Sequence, residues 1–359
     1  VGYAPRPMSY AHPRHCILPP HMIEAIRLRG DAGLRKMADG IEQDGQRFRA
    51  ARCELMPPAA TRRTQPVAAR ARIKPERKVY DAQQRRRLPG KLVRAEGDAR
   101  SSDADVDRAY DGAGATFKLF LNVYQRHSLD GEGMPLVSSV HYGKSYNNAF
   151  WDGEQMVYGD GDGILFRSFT RSLSVIAHEL SHGVVQFSGG LVYRDQSGAL
   201  SESFADVFGV LTLQYRRKQA AHEADWLVGK GLLGPDVRGA ALRSLKAPGT
   251  AYDDAVLGKD PQPFHMDDFV YTSSDNGGVH INSGIPNHAF YLLAQNLCGN
   301  AWERAGHIWY DTLQSIDNPH ASFADWADRT LELARERFGA GSTEAIQTRR
   351  SWKLVGIAV

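Results

Sequence analysis

Residues 178–182 read His178-Glu179-Leu180-Ser181-His182, and the apolar residues around them predict their conformation. Leu173, Ile176, Ala177, Leu180 and Val184 form one stripe at helical spacing. Side chains four apart on a helix stack one turn above each other. His178 and His182 can therefore grip one metal ion, with Glu179 close beside it. A second stripe, Leu200, Phe204, Val207, Phe208 and Leu211, predicts another helix, and it carries Glu202 and Asp206. Both acids lie close to a core-facing stripe, where an unpaired carboxylate is costly. Glu202 is the expected third ligand. Asp206, one turn on, is placed to accept the outer N–H of a ligating histidine. Two imidazoles and one carboxylate leave a fourth position open, the arrangement of catalytic rather than structural zinc. No two of Cys16, Cys53 and Cys298 stand at metal-ligand spacing, which argues against a closed structural site.

The rest of the chain sets the frame. Its 359 residues suggest two or three units, and 42% hydrophobic against 24% charged residues is a globular balance. No apolar run approaches the roughly 18–20 residues that cross a bilayer. Three cysteines cannot build a disulfide framework. Composition thus excludes membrane-spanning helices, collagen-like chains and disulfide-stapled minidomains. The net charge of +3 hides a basic segment, residues 43–100, with 16 Lys+Arg against 6 Asp+Glu. It has almost no aromatics for stacking on bases, so it reads as a solvated linker and no nucleic-acid partner is expected. Residues 1–16 hold no apolar stretch of the kind a secretory signal needs. Secretion by a non-classical route and a cytoplasmic location both remain open.

Four zones follow along the chain. Residues 1–50 contain a small helical element opened by Pro19-Pro20, where a missing amide donor costs least. Residues 51–77 are a basic linker without periodicity. Residues 78–166 read as strands and turns, with a strand over Leu136–Tyr142, turns at Asp111-Gly112-Ala113-Gly114 and Gly159–Gly163, and one helix over Ala115–Tyr124. Residues 167–359 read as mainly helical, with helices over His288–Leu297, Ala301–Ile316 and Ser322–Phe338.

Further motifs stand on either side of the histidine pair. Tyr146-Asn147-Asn148-Ala149-Phe150-Trp151 lies upstream, and Asp275-Asn276-Gly277-Gly278-Val279-His280-Ile281-Asn282-Ser283-Gly284 downstream. With the two helices these four motifs, in this order, resemble the thermolysin-like (M4) zinc metalloproteases over residues 78–355. Cys16-Ile17-Leu18-Pro19-Pro20 and the helices after it are similar to the short propeptide of the protealysin subgroup.

The resemblance implies an α+β, two-lobed fold, with a β-rich N-terminal lobe, a mainly helical C-terminal lobe and a short helical propeptide before them. It implies one zinc ion on His178, His182 and Glu202, with Glu179 as general base. Tyr193 and His280 would stabilise the oxyanion, with Asp275 orienting His280. Asn148, Ala149 and Trp151 would bind the substrate main chain and Arg243 its carbonyl. Val175 and Leu242 would line an apolar specificity pocket. The implied activity is hydrolysis of protein or peptide substrates by a monomer, before a hydrophobic residue, with the propeptide as intramolecular inhibitor cut off in the Arg-rich linker. The reading from another class is an inactive homologue that only binds peptides.

The chain departs from the family at several positions. Ser201 replaces a common Asn before Glu202. Acids of the family's double-calcium cluster are replaced by Ser174, Leu213, Leu227 and Lys230, leaving Asp225 nearly alone. Calcium needs several hard oxygen ligands, so this cluster is expected to be absent, with Lys230 in its space. Gly159–Gly163 fails as a calcium loop, because Ile164 and Arg171 stand at its fifth and twelfth positions. Cys16 is read as a small buried anchor of the propeptide; the alternative is a thiolate capping the zinc.

Overall fold

A computed structural model describes residues 15–52, 73–188 and 190–359. Most of the linker, Cys53 included, lies outside the described residues.

The first half builds a sheet of six strands: β1 (His15–Cys16), β2 (Arg77–Asp81), β3 (Lys91–Ala95), β4 (Leu136–Val140), β5 (Ala149–Trp151) and β6 (Met156–Tyr158). Their spatial order is β1-β5-β6-β4-β2-β3. The pairs β2–β4 and β4–β6 are parallel, and β1–β5, β5–β6 and β2–β3 antiparallel. The edge position beside β5 is thus filled by the chain's own β1. Two helices follow that strand, α1 (Pro20–Arg29) and α2 (Ala32–Arg52). Pro20 opens α1 at a position where no amide donor is needed. Met22, Ile26, Ala38 and Ile41 are buried in the same core as the sheet.

One helix is longer than the sequence predicts. α3 spans Ala104–Tyr124, eleven residues earlier than expected, and absorbs the supposed turn at 111–114. Asp103 caps it by accepting from the amides of Asp105 and Val106. The glycines serve close packing: a Cβ on Gly112 would lie 2.6 Å from Ile176 Cδ1, and one on Gly114 2.3 Å from Arg77 Nη1. The expected strand over 136–142 stops at Val140, because His141 takes a left-handed φ of 55°. Residues 159–163 do form a turn, held by Asp162 Oδ1, which accepts from the amides of Ile164, Leu165 and Phe166. Part of the basic stretch is neutralised internally, with Arg94–Asp107 and Arg77–Glu96 pairs at 2.6 Å.

The second half is mainly helical, with α4 (Leu173–Gln186), α5 (Asp195–Arg217), α6 (Asp275–Asn282), α7 (Gly284–Leu297), α8 (Arg304–Ser315), α9 (Phe323–Phe338) and α10 (Thr343–Leu354), and two short two-stranded ribbons between α5 and α6. Ser322 and Asp325 form a reciprocal capping box on α9. In α6 the turn at Asn276, Gly277 and Gly278 is left-handed (φ 50°, 88°, 76°), which two glycines tolerate. Helices α4 and α5 pack side by side and are buried along most of their length. No helix among the described residues is long and apolar enough to cross a membrane.

Candidate metal centre and peptide cleft

The stripes of α4 and α5 face the core together, which carries their polar residues inward as well. His178, His182, Glu179 and Glu202 are each 0% exposed. His178 Nε2 and His182 Nε2 stand 3.1 Å apart, and Glu202 oxygens lie 3.5 and 3.4 Å from them. Ligands bonded to zinc at about 2.0–2.2 Å in tetrahedral directions are separated by about 3.3–3.5 Å. The three side chains thus fit one such ion, and they are the group of metal-ligating type among the described residues whose donor atoms converge.

The surroundings hold these side chains in place. Asp206 Oδ1 lies 2.8 Å from His178 Nδ1, where the spacing of α5 predicts it. Asp206 also takes a forked contact from Arg243, with Nε–Oδ2 and Nη2–Oδ1 both 2.8 Å, and one from Asn287 Nδ2 at 2.9 Å. Burial alone would raise its pKa, but the Arg243 charge and the His178 hydrogen bond outweigh it and keep Asp206 ionised. Asn287 escapes sequence reading, since nothing in its spacing ties it to α5. Gln262, which donates to the His280 carbonyl at 2.9 Å, is equally silent.

Glu179 Oε2 accepts from the Trp151 amide at 2.9 Å, so β5 positions this carboxylate. The Trp151 indole in turn donates to Gln186 Oε1 at 3.0 Å. Across the site, Tyr193 Oη donates to Glu202 Oε1 and lies 3.3 Å from His280 Nε2. Asp275 holds His280 at two points, the ring Nδ1 at 2.6 Å and the amide at 2.9 Å. Burial pushes the His280 pKa down, but the charges of Asp275 and Glu202 raise it to about 9. A doubly protonated ring donates from both nitrogens.

The cleft beside this centre is filled by residues 15–18. β1 runs antiparallel to β5, with His15 opposite Trp151 and Cys16 opposite Phe150. The Cys16 carbonyl accepts from His280 Nε2 at 3.2 Å. The Ile17 amide donates to the Ala149 carbonyl, and the Leu18 amide to Asn148 Oδ1, both at 3.2 Å. Arg243 Nη1 donates to the Ile17 carbonyl at 3.2 Å. Asn148, Ala149, Arg243 and His280 thus all meet peptide main chain. Cys16 engages through its backbone, and its thiol is not part of the converging metal group. Val175 and Leu242 are buried. Ser201 is buried too, and its hydroxyl has no hydrogen-bond partner among the described residues.

A buried two-histidine, one-carboxylate centre opening on a peptide-filled edge strand defines a metallopeptidase cleft. The comparisons with known proteins agree. The family model "Thermolysin metallopeptidase, catalytic domain" matches residues 62–186, and "Thermolysin metallopeptidase, alpha-helical domain" matches residues 189–357. An extracellular metalloprotease of Pectobacterium carotovorum is 52% identical over 284 residues, 79% of this chain and 81% of that protein. Protease PrtS of Photorhabdus is 52% identical over 288 residues, 79% of this chain and 76% of that protein. The solved precursor of protealysin, a metalloproteinase from Serratia proteamaculans, superposes with a TM-score of 0.85 at 46% identity, over 96% of this chain and 100% of that one. The chain belongs to the M4, thermolysin-like family of metallopeptidases, in its protealysin-like branch, and is a zinc metalloendopeptidase.

Proposed function

We propose that this chain is a precursor whose residues 1–50 inhibit it, with residues 15–18 lying in the peptide cleft as a substrate would. The observation that carries this is the register of residues 16–18. Four main-chain groups there take hydrogen bonds from, or give them to, His280, Ala149, Asn148 and Arg243. Adding a strand to an exposed edge is a general mode of peptide capture. The Cys16 carbonyl occupies the place of a scissile carbonyl and Ile17 that of the residue after it. This supports a preference for a hydrophobic residue after the cut, with Val175 and Leu242 lining its pocket. Removal of the prosegment by cleavage within residues 51–77 would free the cleft.

In the catalytic cycle His178, His182 and Glu202 hold the zinc, which when bound supplies a polarising charge for water and carbonyl. Glu179 takes the proton of the attacking water and later delivers it to the leaving amine. Trp151 N–H holds Glu179 in place for both transfers. Tyr193 and His280 donate to the carbonyl oxygen as it gains charge, and Asp275 keeps His280 protonated and aimed. Arg243 and Asn148 fix the main chain beyond the cut. We place a single zinc here and no double-calcium cluster: Ser174 and Leu213 offer no carboxylate, and Lys230 Nζ binds Asp225 Oδ2 at 2.7 Å. Two calcium ions found on Asp225 would contradict this.

The extracellular relative supports export of this chain as well. The inhibition is tested by comparing casein hydrolysis by the full chain and by a chain starting near residue 75. The truncated form is expected to be much faster. Equal rates would overturn inhibition.

A further inference from the structure

A cavity of about 320 Å³ opens at the first turn of α4. It is lined by Arg171, Ser172, Leu173, Ser174, Leu213, Arg216, Arg217 and Lys230. Every titratable group in this lining is a cation. Lys230 is answered by Asp225 at 2.7 Å. The guanidinium groups of Arg171, Arg216 and Arg217 have no hydrogen-bond or ion-pair partner among the described residues. They come from two separate elements, the short turn Phe169–Arg171 and the end of α5. Arg216 and Arg217 complement the negative end of α5, but Arg171 has no such role, and like charges gathered in one concavity repel.

The backbone adds donors of the same sign. Ser172 caps α4 without a side-chain hydrogen bond, and the first turn of α4 carries no acid. Ser172 Oγ instead lies 3.1 Å from Ser174 Oγ, which accepts from the Gly229 amide at 3.0 Å. The amides of Val175 and Ile176 already donate to the Ser172 carbonyl, at 3.1 and 3.2 Å, but those of Leu173 and Ser174 have no partner among the described residues and remain for an anion at this end of the helix.

We propose that this cavity binds a doubly charged tetrahedral oxyanion of the phosphate or sulfate class, held by Arg171, Arg216 and Arg217. Guanidinium forks match such an ion's geometry and charge. Leu173 begins the helix that carries His178 and Glu179 five and six residues on. A bound anion would therefore brace the catalytic helix from its far end, where a cation would be repelled.

The test uses the full chain carrying Glu179→Gln, so that it stays intact, at constant ionic strength set with sodium chloride. Inorganic phosphate is titrated by calorimetry and its effect on Tm is recorded. Saturable binding of one phosphate per chain, with a rise in Tm, is expected. In Arg216→Gln/Arg217→Gln the affinity should fall about tenfold or more. These side chains are exposed, so the variant should fold, which circular dichroism verifies. A parallel titration with O-phosphoserine separates the free ion from a phosphate ester as the better ligand; either result supports the site. Binding that is unsaturable, or unchanged in the double variant, would overturn the proposal. So would a saturable rise in Tm with calcium in place of phosphate.

Discussion

Two residues separate chemistry from metal binding. In the proposed mechanism Glu179 acts in the reaction and not as a ligand, so Glu179→Gln should lower peptide hydrolysis by about 10²–10⁴ with zinc content unchanged. Metal analysis beside a peptidase assay checks both. If zinc were lost too, Glu179 would be a structural part of the centre. Asp206 acts at one remove. It orients His178 and is itself fixed by Arg243 and Asn287. Asp206→Asn should weaken zinc affinity by about 10–100-fold, measured by competition with a chelator, and should also lower Tm, because the buried Arg243 charge loses its partner. Unchanged affinity would mean that Arg243 alone explains why Asp206 is there. Glu202 and Asp206 were legible because a helix spacing of four placed them. Asn287, Gln262 and the Trp151 amide were not, since each reaches the site from a part of the chain that spacing does not connect.

At the scale of elements, two histidines tie helices to their neighbours. His141 bridges Asp160, at 2.7 Å, and Asp103, the cap of α3, at 2.8 Å. The hydrogen bond to Asp160 leads in raising its pKa to about 9, despite burial. The folded value exceeds the unfolded one of about 6.5. The bridge's contribution is therefore complete below about pH 6.5 and lost as pH rises through about 9. Denaturation across pH 6–10 should show that loss, and His141→Gln should flatten it; equal slopes in both proteins would refute the bridge. His21, in α1, behaves in the opposite sense. Burial pushes its pKa down to about 4, and Tyr252 Oη lies 3.1 Å from its Nε2. The hold of α1 on the body is complete above about pH 6.5 and weakens as pH falls towards 4. Peptidase activity of the full chain should thus emerge faster at pH 5 than at pH 7, with His21→Gln losing that dependence. No acceleration on acidification would count against it. Helices with apolar stripes or caps, such as α4, α5 and α9, were readable from sequence. The start of α3 was not, because its glycines signal a turn locally and are justified only by Ile176 and Arg77, distant in sequence.

Across the whole molecule, the chain lays its residues 15–18 along its peptide cleft. The sheet order could not be read from local patterns, since parallel pairs such as β2–β4 and the seating of β1 on β5 depend on contacts far apart in sequence. The metal centre could, because both ligand-bearing helices announce their faces. The claim beneath everything is that His178, His182 and Glu202 hold one catalytic zinc. Elemental analysis of the purified chain, before and after dialysis against a zinc chelator and after zinc is restored, tests it most directly, with casein hydrolysis of the prosegment-free form measured alongside. One zinc per chain, activity lost with it and regained on its return, is the predicted result. A pure, folded protein that holds no transition metal, or that hydrolyses casein equally well without it, would contradict the account.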